Sequence, residues 1–475
     1  MTLLVGFYLL VAALVVGTIF LDVYAISTFR LPGLEFATLA TFATAALLRA
    51  LLIVHRVQGV EPPSVPVLPE EQPALWREVE ELAARVRSPL PDEIRLFAEP
   101  TAAVAIETRL SGLRVVGRTL FIGLPLVQAL DAAELRAVLA HELAHTSAAH
   151  SRLTTAAYRG RVWLVAAVDG LDSHPYLQPV FSGYARMYLR LTQAISRRQE
   201  YEADALAVAL AGRAATASAL RKTRETGAAW DLYAECYLSL SGAGDLRPAE
   251  VFAGFRALLA DPVRQAEVAG LVAEPEETSP YDSHPSWAER QAAIAALPDP
   301  GTDPDPRPAR ALLPDPPVRA LERALWRGTR WSPLPWEDLV EKGMYATRNA
   351  EALRDLAAAG QRVMGTARPY VDAAFEAIAR GRQDELAGQL RDLGWKPSPT
   401  LLGGVLGQAL EALLIEHGQA RWTLSWSGPA RLLYTGGEEV EVDGYAAQVA
   451  AEPSAIPGLR AWLDRMGVER DYVPA

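Results

Sequence analysis

The stretch Asp131 to His150 reads DAAELRAVLAHELAHTSAAH and holds a single HExxH, made of His141, Glu142 and His145. Apolar residues recur at helical spacing (Leu135, Val138, Leu139, Leu143), and Asp131 with Glu134 has the pattern of a capping box. A helix is therefore expected from Asp131 onward. On it His141 and His145 lie on one face, one turn apart. Two imidazoles at that separation can hold one Zn²⁺, and the adjacent Glu142 can take a proton from a water that the metal activates. The bland alternative is two histidines and an acid on an ordinary amphipathic helix. It loses ground because a second site downstream supplies what a metal would still need.

Composition narrows what that metal site can be made of. The only cysteine is Cys236, which excludes an intrachain disulfide and any Cys-rich zinc site. Histidine and carboxylate must supply the ligands, from only seven histidines. The formal net charge of -11 argues against a nucleic-acid partner. With 475 residues the chain is long enough for roughly two to three domains.

The downstream site is Ser196 to Ala211, SRRQEYEADALAVALA. A catalytic zinc held by two histidines takes a third protein ligand and keeps a fourth position for water. Glu200 and Asp204 are four apart and share one helical face. Glu200 can complete the metal shell while Asp204 hydrogen-bonds the far nitrogen of a ligand histidine and fixes its tautomer. Glu202 is a rival ligand on another face. Read alone, this acidic turn is equally a solvated surface paired with Arg197 and Arg198.

Taken together, HELAH followed 55 residues later (200 minus 145) by EYEAD resembles the membrane-anchored zinc metallopeptidases, or gluzincins, that include HtpX and the CAAX prenyl proteases. The lead-in LDAAELRAVLAHELAH and the upstream RTLFIGLPL at Arg118 to Leu126 resemble that family too. The resemblance implies His141, His145 and Glu200 on one zinc per chain, Glu142 as general base, and Asp204 bonded behind a ligand histidine. It covers about Val60 to Leu297. His284-Pro285 and Arg290 resemble the family's H-P…R element; there the histidine lies near the substrate and supports the oxyanion, and the arginine helps orient the site. Simple entry into a helix capped by Ser286 and Glu289 is the competing reading of that stretch. One departure stands out: HtpX-type proteins carry a further membrane hairpin between the two metal helices. Here Thr154 to Ser196 is too charged for that and reads as a soluble helical insertion with Tyr184 and Tyr188 packed inward. His150 falls five residues after His145, out of register for a third histidine ligand.

The rest of the chain frames the site. Leu3 to Leu21 is uncharged and long enough to span a bilayer, and Phe36 to Val54 is a second span with Arg49 near its end. Together they make a transmembrane hairpin over 1–56, and Arg49, His55 and Arg56 favour both ends in the cytoplasm. Val60 to Pro73 reads as a linker, Ala74 to Val86 as a helix, and Ile94 to Ala98, Ala102 to Thr108 and Leu113 to Gly123 as strands. Ala102 to Glu107 is a candidate edge strand, able to hold an extended peptide over the metal. Leu206 to Ala273 is helical, with Trp230, Tyr233, Tyr237, Phe252 and Phe255 as expected core. The peptidase domain is placed at 57–300, a Pro/Asp-rich linker at 301–317 and an accessory α+β domain at 318–475. In the accessory domain, helices are expected over Ala350 to Gly394 with a break at Gly381. A β-hairpin turning at Gly436-Gly437 and a closing helix at Pro457 to Met466 follow.

The expected fold is thus mostly α with a small β-sheet, an α+β class with a membrane hairpin ahead of it. The expected activity is a membrane-anchored endopeptidase acting on proteins or peptides. The competing class is a membrane-tethered scaffold whose metal site is vestigial.

Overall fold

Short β-branched and apolar runs build a four-stranded sheet ahead of the HExxH helix. The computed structural model describes residues 62–109, 114–147, 178–273, 285–469 and 472–474, with isolated helical positions between 13 and 28. The sheet comprises β1 (Ser64–Pro66), β2 (Glu93–Phe97), β3 (Ala102–Arg109) and β4 (Arg114–Gly123), in the order β1-β2-β4-β3. β1 runs antiparallel to β2, β2 parallel to β4, and β3 antiparallel to β4 with a register break between Glu107 and Thr108. β3 is therefore an edge, as its sequence suggested. β1 was not foreseen: three residues in a proline-rich stretch are too few to show a side-chain period, and they are held by pairing with β2 and by Arg95 Nε donating to Ser64 Oγ at 3.0 Å.

Helix α1 (Pro73–Val86) buries Leu75, Val79, Leu82 and Val86. After β4 the chain turns at Gly123. A Cβ there would stand 2.0 Å from the Glu99 carbonyl oxygen and 2.6 Å from that of Thr101, so only glycine lets the strand end against that loop. The short helix α2 (Leu124–Ala129) leads into α3 (Ala132–His145), the HExxH helix. Its capping box is formed as expected, Asp131 accepting from the Glu134 N–H and the Glu134 side chain from the Asp131 N–H.

α3 packs against α1, β3 and α4 (Gln178–Ala211). Gly212, at φ +93, ends α4 and starts α5 (Arg213–Cys236). Alanines make the seam between these helices: Ala133 and Ala137 of α3 meet Ala211 of α4 and Ala215 and Ala219 of α5. Small side chains let the helix axes approach closely. Two more helices, α6 (Trp287–Ala296) and α7 (Val318–Leu325), complete the elements used below.

Contacts divide the chain into two units, Met1–Gly227 with Leu271–Leu325 and Ala228–Gly270 with Trp326–Ala475. The stretch 301–317, read from composition as a linker, is tied within the first unit. Ala309 and Leu313 are buried, and the Gln72 amide donates to the Asp315 carbonyl. In the second unit Trp230, Tyr233, Phe252 and Phe255 form the expected aromatic cluster, joined by Trp336 and Trp426. Tyr237 packs on Trp336 and Trp426.

Helices Ala350–Met364, Val371–Ala379, Gln383–Asp392 and Leu401–Glu416 carry most of that unit's apolar core. Gly381, at φ +74, separates the second from the third. Strands Ala420–Thr423 and Arg431–Tyr434 pair antiparallel. The hairpin therefore turns between residues 424 and 430, and the expected turn at Gly436-Gly437 instead follows the second strand. Trp426 lies in that loop because its ring packs on Tyr237, which overrides the alternation read from Trp422, Leu424 and Trp426.

The described structure is mostly helical with small sheets, an α+β protein. Among the described residues no helix is long and apolar enough to cross a membrane. The expected span Phe36 to Val54 and most of Leu3 to Leu21 lie outside the described residues. So do His150, His174, His284, residues 154–177 and the side chains of Tyr184 and Tyr188.

Candidate metal centre

Two helices bring the donors together. α3 presents His141 and His145 from successive turns, their Nε2 atoms 3.1 Å apart. α4 presents Glu200, which is 5% exposed. Its Oε2 stands 3.5 Å from His141 Nε2 and its Oε1 3.7 Å from His145 Nε2. One donor atom from each of the three residues lies within 4.8 Å of the others, a group that can hold a metal ion.

The donor set fits zinc on geometry alone. Metal–ligand bonds of about 2.0–2.1 Å in a tetrahedron place neighbouring donors roughly 3.3 Å apart. The observed separations of 3.1, 3.5 and 3.7 Å bracket that value. Two imidazole nitrogens facing each other beside a buried carboxylate can share protons or a cation, and little else satisfies them.

Behind the donors sits a second layer of charge. His141 Nδ1 is 3.0 Å from Asp204 Oδ1, which fixes which ring nitrogen points at Glu200. Asp204, 2% exposed, is gripped by Arg290 of α6 through two bonds, Nε to Oδ2 at 2.9 Å and Nη2 to Oδ1 at 2.6 Å. Arg290 Nη1 also reaches Glu200 Oε2 at 3.6 Å. The family resemblance implied that Arg290 helps orient the site; its hydrogen bonds go to Asp204, behind His141, and its Nη1 lies beside the donor Glu200. Arg197 of α4 pairs with Glu289 of α6, pinning the two helices beside the site. Glu202, the rival ligand, points outward and pairs with the exposed Arg198 at 2.7 Å.

These contacts shift the charges. Burial disfavours the His141 imidazolium, but Asp204 and then Glu200 outweigh it and push His141 from 6.5 up to about 9. Burial likewise raises Asp204, yet Arg290 and His141 hold it below its ordinary value. Burial works against the Arg290 guanidinium, and Asp204 more than restores it. Glu142, next to His141 and half-buried, acts on both His141 and Arg290 through its charge.

Two histidines and a glutamate from separate helices, with a further glutamate beside them, define a metal-dependent hydrolase as the class to consider. Comparison with known proteins makes the class specific. Residues 69–297 match the model of Peptidase family M48. A protein named Protease HtpX homolog, from Kineococcus radiotolerans, is 31% identical over 249 residues, covering 49% of this chain and 76% of that protein. The crystal structure of S. mikatae Ste24p aligns at 16% identity over 62% of this chain and 66% of its own, with a TM-score of 0.27, too loose to argue from. The chain belongs to peptidase family M48, the metallopeptidase family its HELAH and EYEAD motifs resemble.

Proposed function

We propose that the protein is a zinc-dependent endopeptidase tethered to the membrane by residues 1–56, with its catalytic part in the cytoplasm. The observation that carries this is the convergence of His141, His145 and Glu200 within 4.8 Å. These three hold the zinc. When bound, zinc supplies a Lewis acid that polarises the scissile carbonyl and acidifies water.

Glu142 accepts the proton of the attacking water and returns it to the leaving amine. Asp204 holds the His141 ring with Nε2 toward Glu200 and His145, where it would serve as a metal ligand, and Arg290 holds Asp204 and lies beside Glu200. His284, three residues before α6, supports the oxyanion. β3, an edge among the described strands, takes the substrate backbone in extended form, which suits a peptide and leaves its side chains to set preference. Anchoring is supported by the apolar stretch at Leu3 to Leu21 and by Val16, Ile19 and Phe20, whose side chains are mostly exposed. The peptidase domain read at 57–300 corresponds to the first unit, without Ala228–Gly270, and the accessory domain read at 318–475, for substrate docking or self-association, to the second.

The test is Glu142→Gln in the full chain. It keeps stoichiometric zinc and loses casein cleavage by about a thousandfold or more. Undiminished turnover by the pure variant would remove Glu142 from the mechanism. Zinc-loaded wild-type protein without chelator-sensitive cleavage would favour the scaffold reading.

A further inference from the structure

Helix α3 starts with four backbone N–H groups that its own turns cannot satisfy. Two stay local: Glu134 N–H donates to Asp131 Oδ1 at 2.8 Å, and Asp131 N–H to Glu134 Oε2 at 2.8 Å. The other two go to a segment far along the chain. Ala132 N–H donates to the Arg307 carbonyl at 2.7 Å, and Ala133 N–H to the Asp305 carbonyl at 3.1 Å. In return Ala309 N–H donates to the Leu130 carbonyl at 2.9 Å, and Asp131 forms an antiparallel bridge with Pro308. The segment is held in shape by the Arg307 side chain on Asp305, Nε to Oδ1 at 2.9 Å and Nη2 to Oδ2 at 2.7 Å.

The same helix start is held from a second side. Glu134 is 2% exposed. Its Oε2 accepts from the Asp131 N–H at 2.8 Å and from Lys222 Nζ of α5 at 2.7 Å, and its Oε1 accepts from the Ser218 hydroxyl at 2.6 Å. One carboxylate thus closes the capping box and ties it to α5. A third hold comes from α1, where Glu78 takes two bonds from Arg136 at 2.5 and 2.8 Å.

A helix moves as a rod. His141 lies seven residues beyond Glu134, about 10 Å along the axis. Rocking at the start of α3 therefore shifts both imidazoles against Glu200, which rides on a different helix. Metal–donor distances tolerate only about 0.2 Å of error.

We propose that Lys222, acting through Glu134, and the Asp305–Ala309 segment are positioning elements of the metal centre: they set where His141 and His145 stand relative to Glu200, and so set metal affinity from a distance. This rests on the metal-site reading above. Residues that composition marks as a linker become the seat of the metal helix.

The experiment uses the full chain with Lys222→Met, Lys222→Arg and the double variant Asp305→Ala/Arg307→Ala, whose side chains are partly exposed (29% and 66%) so that folding survives. Zinc dissociation constants are measured by competition with a chromophoric chelator, alongside the Tm of each metal-free protein. Lys222→Met weakens zinc about tenfold or more, Lys222→Arg recovers most of that loss, and the double variant falls between. Zinc affinity within twofold of wild type in both Lys222→Met and the double variant, with only Tm lowered, would make these contacts merely structural and overturn the proposal. A wild-type protein that takes up no zinc would show itself in the control, and would remove the metal reading and this proposal together.

Discussion

Two buried glutamates in this molecule, Glu200 and Glu411, are each 5% exposed, and each is met by an arginine. Around Glu411 the bonds close on themselves. Arg348 donates to both its oxygens at 3.0 and 3.2 Å, Asn349 Nδ2 donates at 2.8 Å, and Trp422 Nε1 fills Asn349 Oδ1 at 2.8 Å. Every group there is a donor matched to an acceptor. Around Glu200 the arrangement differs. The Nε2 atoms of two imidazoles stand 3.1 Å apart with the carboxylate at 3.5 and 3.7 Å, so three atoms of metal-ligating type converge on one point. In the metal-free fold a proton held on His141, which is pushed up to about 9, supplies the positive charge there, and a divalent cation can take its place. Burial and arginine pairing do not separate the two sites, but the convergence of ligand atoms does.

The sharpest way to break this comparison is to remove each glutamate in turn. Glu200→Leu is expected to lower zinc affinity by at least about a hundredfold and cleavage with it. Glu411→Leu is expected to leave zinc unchanged and to cost about 2 kcal/mol of stability by stranding Asn349 and Arg348, a figure discounted because Arg348 is 38% exposed. Chelator competition and urea unfolding read the two effects separately. If Glu411→Leu changed zinc affinity as much as Glu200→Leu does, the distinction would be lost.

Asp204→Asn comes next in size. It keeps the shape behind His141 but loses the charge that orients the ring. Zinc affinity is expected to fall about ten- to a hundredfold, with the metal still bound at saturating concentration. Affinity equal to wild type would mean the Asp204–His141 bond has no bearing on the donors.

The smallest expected effect is on pH. His141 is raised in the metal-free fold, so its contribution to stability is fully present below about 6.5 and is lost as pH rises through about 9. Metal-free protein should therefore lose Tm between pH 6.5 and 9, and zinc-loaded protein, with a neutral imidazole, should lose less. Equal slopes for metal-free and zinc-loaded protein would contradict the charge assignment at His141.

Much of the site could be read from the chain because its signals are local. Helical spacing put His141 and His145 on one face, the capping boxes at Asp131 and Ser286 formed as patterned, and β3 proved an edge. What escaped was set by distant partners. Arg290 could be linked to the site, but its grip on Asp204 is visible only in three dimensions. β1 is three residues long, and its partners Arg95 to Phe97 lie some thirty residues away in the chain. The carbonyls of Asp305 and Arg307 cap α3 whatever side chains they carry, so composition sees only proline and aspartate. Lys222 on α5 bears no motif, and only the fold brings it to Glu134.

The most direct test of the account is the metal content of the purified full-length protein, wild type beside His145→Ala and Glu200→Ala. The account predicts one zinc per wild-type chain, and none retained through gel filtration by His145→Ala or Glu200→Ala. Zinc held equally well by all three proteins, or by none, would contradict it.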